Sequence, residues 1–207
     1  MQKNLLSVLK LIFNFLRNIW GTIDQPYVSY RKIVDGDPYE LLIIFGIIAG
    51  YFFLISPLKL HTFHPLLITF NASRLFTTTL FSFMLICFVL YLLAHVMGSK
   101  ETFKNVLMGW GYSLIPTLIW FWVTSLAYVV LPPPRHPTLL GNLFSIVFVA
   151  FSISLFWWKG ILYYLTLRLG LRLNLQRIII ISVIFLPSLF LYSIWLYRLG
   201  IFKIPFI

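Results

Sequence analysis

Between Val106 and Leu131 the chain runs for 26 residues without Asp, Glu, Lys, Arg or His. As a helix rising about 1.5 Å per residue, such a run is long enough to cross the roughly 30 Å hydrocarbon layer of a bilayer. Gly109, Gly111, Tyr112 and Pro116 interrupt it. The two glycines remove side-chain bulk where another helix can approach, and Pro116 deletes a backbone donor and clashes with the carbonyl of Tyr112. The pattern predicts a kinked span packed on a neighbour, with the hydroxyls of Ser113 and Thr117 as candidate partners for the freed carbonyl.

The rest of the chain repeats this character. Of 207 residues, 60% are hydrophobic and 10% charged, and the mean hydropathy is +0.94, more apolar than a soluble domain of this size requires. A formal charge of +11 raises nucleic-acid binding as an idea, but the basic residues lie between apolar runs and no nucleic-acid module is present. Anionic lipid headgroups are the nearer partner. The single cysteine, Cys87, sits inside an apolar run, where a buried inert thiol is the expectation.

Residues 2–20 place Lys3, Ser7, Lys10, Asn14 and Arg17 on one helical stripe, with Leu6, Leu9, Phe13, Leu16 and Trp20 in the apolar remainder. This suits an amphipathic helix in the membrane interface with Lys3, Lys10 and Arg17 at the membrane surface. Lys10 and Arg17 argue against a signal peptide by breaking its apolar core. Residues 21–39, with Pro26, Gly36 and Pro38, predict a polar linker or short surface helix.

Five spans follow, at Glu40–Pro57, Leu75–Met97, Val106–Leu131, Leu140–Trp158 and Ile178–Leu199. Gly46 and Gly50 in the first form a small-residue pair able to seat a helix. Lys59–Arg74 is expected as a loop carrying His61 and His64, which lack a third ligand for a metal. Trp157, Trp158 and Lys159 are expected to anchor the end of the fourth span in headgroups. Leu165–Leu175 reads as a helical extension and a loop, Asn174 as a cap for the fifth span, and Pro187 as a second kink. The fold class is therefore all-α, a polytopic membrane protein with residues 1–39 as a cytoplasmic helix and linker and residues 40–207 as a five-helix domain. Eleven of the sixteen Lys and Arg fall on the amino-terminal side and five on the other, which predicts the amino terminus inside and the carboxyl terminus outside.

Membrane enzymes and ion-coupled carriers need an ionisable group at depth. Both glutamates, Glu40 and Glu101, sit at span borders, and HExxH, GxSxG and phosphate-cradling glycine motifs are missing. Ser and Thr in the second and fourth spans are expected to bond back to their own helices. The expectation is a protein that is not an enzyme, with no cofactor and no metal.

The segment KETFKNVLMGWGYSLIP, with Gly111, Tyr112 and Pro116, together with the Asp37-Pro38 region and the GLRLNLQR stretch, resembles the Yip1 family of five-span membrane proteins over about residues 20–200. In eukaryotic relatives the resemblance implies vesicle traffic and binding of Rab-type GTPases. This chain lacks their long acidic amino-terminal tail and their fuller Asp-Leu-Tyr-Gly-Pro pattern, and is more similar to the short prokaryotic members. The functional expectation is a non-enzymatic scaffold or adaptor in a prokaryotic cytoplasmic membrane. Its partners would be the lipid bilayer and another integral membrane protein or a second copy of the chain, with Gly46, Gly50, Gly109 and Gly111 permitting close helix contact. The alternatives are a small transport or permeability subunit for an uncharged or lipidic solute, and lipid sensing through residues 2–20.

Overall fold

The computed structural model describes residues 2–55, 57–58, 65–130 and 139–201. Among them no strand occurs, as expected of a chain whose backbone groups must be paired within each segment in lipid. In chain order the helices are α1 (Gln2–Asp24), α2 (Pro26–Val34), α3 (Glu40–Gly50), α4 (Pro65–Val96), α5 (Phe103–Ser113), α6 (Ile115–Val130), α7 (Leu139–Leu165) and α8 (Leu175–Arg198). A wider π-helical turn extends α3 over Tyr51–Ile55, and another extends α7 over Thr166–Gly170.

Four helical stretches are long and apolar enough to cross a membrane: Ile68–Val96, Phe103–Val130, Gly141–Gly170 and Leu175–Arg198. They give the chain the make-up of a multi-pass membrane protein. The expected first span, Glu40–Pro57, is an apolar helix over Glu40–Ile55, too short to meet the same length.

Several boundaries move. The expected loop Lys59–Arg74 is helical from Pro65 onward, because proline suits a first helical turn and lacks only a donor that has no intrahelical partner there. His61 and His64 lie outside the described residues, as do Pro132, Pro133, Pro134, Arg135 and His136. The fourth span does not end at Trp158. The helix continues past Lys159 to Leu165 and then through the π turn, so Lys159 falls inside the crossing-length stretch rather than at its edge. The alternating leucines that follow are this turn and a short loop, as expected, since a strand there would leave its backbone unpaired. Asn174 occupies the position before α8, but its side chain makes no capping bond.

The break predicted in the third span is present between α5 and α6. The proton donor that Pro116 lacks is replaced by backbone: N–H groups at the end of α5 bond the Gly111 and Tyr112 carbonyls, and Ser113 donates instead to the Trp110 carbonyl at 2.7 Å. Elsewhere hydroxyls do bond back within their helices, as with Thr79 to Leu75, Ser152 to Phe148 and Ser154 to Ala150. Cys87 is buried and unpaired with another cysteine.

The largest departure concerns α2. The expected linker or surface helix is a helix, started by Pro26 at its first turn, but its Tyr30 and Ile33 are fully buried and Val34 nearly so. It folds back on α1 and wedges against α5 and the π turn after α7. At the fold-back Gly21 lies against Ser29, leaving no room for a side chain.

Candidate functional site

α5 is the element around which buried polar groups gather. Its first turn is tied down by a chain of side chains: Thr102 donates to Asn105 at 3.1 Å, and Asn105 donates to Glu101 at 2.7 Å. Glu101 in turn pairs with Arg172 at 3.0 Å, while Ser99 donates to the Leu171 carbonyl at 2.7 Å. The turn before α5 and the loop before α8 are thereby held together. From Asn105 to Ser113 only Leu107 is not buried.

One turn further along, a Cβ at Gly109 would sit 2.8 Å from the Thr166 methyl. The close approach lets Tyr30 of α2 reach in: its hydroxyl donates to the Gly109 carbonyl at 2.5 Å and lies 2.8 Å from the Thr166 hydroxyl. Burial pushes the Tyr30 phenol well above its ordinary pKa, so it acts as a neutral donor.

Gly111 faces α3, where Leu41 occupies the space a Cβ would need. The next residue, Tyr112, is fully buried and donates to the carboxylate of Glu40, the first residue of α3. Asn18 of α1 donates to both Glu40 oxygens, at 3.0 and 3.3 Å, and lies 3.4 Å from the Tyr112 hydroxyl. Phe15 packs its ring on Tyr112 with centroids 5.7 Å apart. Glu40 is only 5% exposed. A carboxylate in such a place needs strong donors, and the amino terminus of α3 adds its own favourable field.

The expectation that no ionisable group lies in the interior is therefore corrected. Glu40 is at a helix border in the chain, yet α1 and α5 close over it in space. Chemically the cluster fastens three helices, because each oxygen of the carboxylate already accepts a donor. Among the described residues no group of three His, Cys, Asp or Glu is placed to hold a metal.

Of the residues singled out in the sequence, Gly109, Gly111 and Tyr112 meet at this site, and buried Pro116 begins the next helix. Gly50 lies apart, 3.5 Å from Trp122 of α6 for a Cβ placed there, and Gly46 has no atom within 4 Å. Among the described residues of this chain, only Gly50 of the pair meets a neighbouring helix. Lys10 and Arg17 are exposed on α1, with Arg17 donating to Asn14 at 3.1 Å; the Lys3 side chain is outside the described residues. Sequence reasoning missed Asn18, Tyr30 and Glu40. The only hint was an aromatic residue in a polar segment and an acid directly abutting an apolar run.

Comparison with family models, with curated proteins and with solved structures finds no match to this chain.

Proposed function

We propose that the protein is a non-enzymatic membrane scaffold, a five-crossing helical bundle of the Yip1 type that binds another integral membrane protein or a second copy of itself. The observation that carries this reading is the state of Glu40: both oxygens of the buried carboxylate are engaged by Tyr112 and Asn18. They join α1, α3 and α5 rather than meeting a substrate. The resemblance of Gly111, Tyr112 and Pro116 to the Yip1 motif supports the family placement.

The fifth crossing is Glu40–Ile55. Supporting it, Ser99 and Glu101 are bonded to the loop before α8, so α4 ends on the side where α2 and the end of α7 lie. For α4 to arrive there after a crossing, the helix Glu40–Ile55 runs to the opposite side first. The excess of Lys and Arg on that first side makes it the cytoplasmic one. α1 then lies along this face as an amphipathic helix: Leu9, Phe13, Leu16 and Trp20 are exposed beside the basic residues Lys10 and Arg17.

Partner contact falls on lipid-facing helix surfaces with notches. Gly46 and Gly160 have open space where a side chain would be, and Gly160 is flanked one turn away by exposed Phe156 and Tyr164. Small residues let two backbones approach closely in lipid, where apolar burial alone does not drive association. Copurification in mild detergent is expected to recover a stoichiometric partner or homo-oligomer. The double variant Gly46→Leu/Gly160→Leu should lose it while keeping the wild-type melting temperature. Recovery of the wild-type protein as a lone monomer after in-membrane crosslinking would remove the reading.

A further inference from the structure

Beside the docked α2 lies a surface cleft of about 360 Å³, bounded by Tyr27, Arg31 and Asp35 on one wall and by Arg168, Arg172 and Asn174 on the other. We propose that this cleft is a binding site for a phosphate oxyanion, presented by the headgroup of an anionic lipid or as free phosphate. Three arginines and one aspartate line it, with Glu101 paired to Arg172 from behind, and guanidinium forks match phosphate oxygens in shape and charge. The volume falls within the range of about 300–1,000 Å³ found for small-molecule sites.

The two walls are built differently. Arg168 is half-buried and its guanidinium donates to the Leu173 carbonyl at 2.8 Å, which fixes its position. Arg172 stands in the left-handed region at φ 49°, a conformation unfavourable for a residue with a side chain. Its Nε is held by Glu101 at 3.0 Å while the side chain remains 70% exposed, leaving the two terminal nitrogens for a ligand. Arg31 is exposed and makes no ion pair among the described residues. It is the exposed arm of a site whose other two cations are braced.

Position argues for the headgroup arm. The cleft adjoins the end of the crossing-length stretch Gly141–Gly170 and the start of the next at Leu175, the level at which basic pockets between spans meet lipid phosphates. Tyr27 and Asn174, both exposed, supply neutral donors for the hydroxyls or esters around such a phosphate.

The test uses the full chain purified in mild detergent, titrated with dioctanoyl phosphatidylglycerol, dioctanoyl phosphatidylcholine or inorganic phosphate, and read by native mass spectrometry and thermal shift. Saturable retention of the anionic lipid with a rise in melting temperature is expected, and phosphatidylcholine should bind about tenfold more weakly. Arg31→Gln, an exposed change that leaves the fold intact, should weaken the anionic lipid about tenfold. Asp35→Asn should strengthen it about two- to threefold by removing the opposing charge, a gain that a merely structural role would not produce. Lys10→Gln/Arg17→Gln should leave the affinity unchanged, which separates the cleft from the face of α1. Inorganic phosphate competing at the same concentration as the lipid would assign the site to free phosphate. Equal binding of both lipids with no effect of phosphate, or wild-type affinity in Arg31→Gln, would overturn the proposal.

Discussion

α5 and α7 are both apolar helices of the bundle, yet they use their surfaces in opposite ways. α5 is enclosed almost all round, by α2, α3, α4 and the end of α7, and its glycines admit Thr166 and Leu41 where side chains would stand. In α7 only 11% of the most apolar stretch is buried, against 33% in α4, and Leu143, Ile146, Val147, Ile153, Phe156 and Trp157 are exposed. Lipid is as apolar as leucine, so burial alone gives neither helix a reason to pack. What distinguishes α5 is shape and hydrogen bonding: close approach at Gly109 and Gly111, and donors or acceptors at Asn105, Gly109 and Tyr112. α7 makes fewer such contacts, accepting from Trp120 at Ser152 (2.9 Å), meeting Ser182 at Tyr163 (3.0 Å) and closing on α5 at Thr166, and leaves most of its earlier turns to the surroundings.

The contrast can be broken most forcefully at Gly109. Gly109→Leu drives a branched side chain into Thr166 and displaces Tyr30, and overpacking of this kind costs about 1–3 kcal/mol or more. The expected result is loss of the monodisperse peak in size-exclusion chromatography; normal behaviour would mean that α5 does not need the close approach. Tyr112→Phe comes next. It keeps the ring against Phe15 but takes a donor from a buried carboxylate, a loss of about 1.5–3 kcal/mol, which should appear as a lower melting temperature in detergent. The companion change Glu40→Gln should restore part of it, because a neutral amide needs less stabilisation there.

Tyr30→Phe removes a hydrogen bond to a backbone carbonyl and should cost about 1 kcal/mol, with faster amide exchange in α2 as the local reading. At the small end, Ile146→Ala on the exposed side of α7 should shift the melting temperature by less than the Tyr30 change, since a lipid-facing methyl loses few protein contacts. A drop as large as that of Tyr112→Phe would show that the outer face of α7 is covered by protein.

Elements defined by uninterrupted apolar runs were legible in the chain: α4, the α5–α6 pair and α8 all overlap the expected spans, and the break ahead of Pro116 follows from one residue's chemistry. Gly109 and Gly111 were picked out because an absent side chain lets a neighbour approach, and Thr166 and Leu41 stand there; Tyr112 was picked out for its carbonyl, and its hydroxyl was not read. The neighbour itself was not legible. Asn18, Tyr30 and Glu40 lie 94, 79 and 72 residues from the α5 groups they bond, and nothing in local periodicity encodes a contact at that distance. Polarity also misleads here: Tyr30 sits among Ser29, Arg31 and Lys32, so a segment that averages as surface conceals a side chain that is fully enclosed. For α7 the cue was a cation, Lys159, read as an end marker when it lies within a continuing helix.

The hydrogen-bonded contact between Tyr30 and Thr166 joins residues separated by 136 positions. On a ribosome adding about 5–20 residues per second, the amino-terminal hairpin is synthesised on the order of 10 s before its receptor exists. During that interval Tyr30, Ile33 and Val34 have no groove to enter, and the hairpin is open to chaperones and proteases. Docking of α2 into its groove thus waits until Thr166 has been made, late in the synthesis of the bundle.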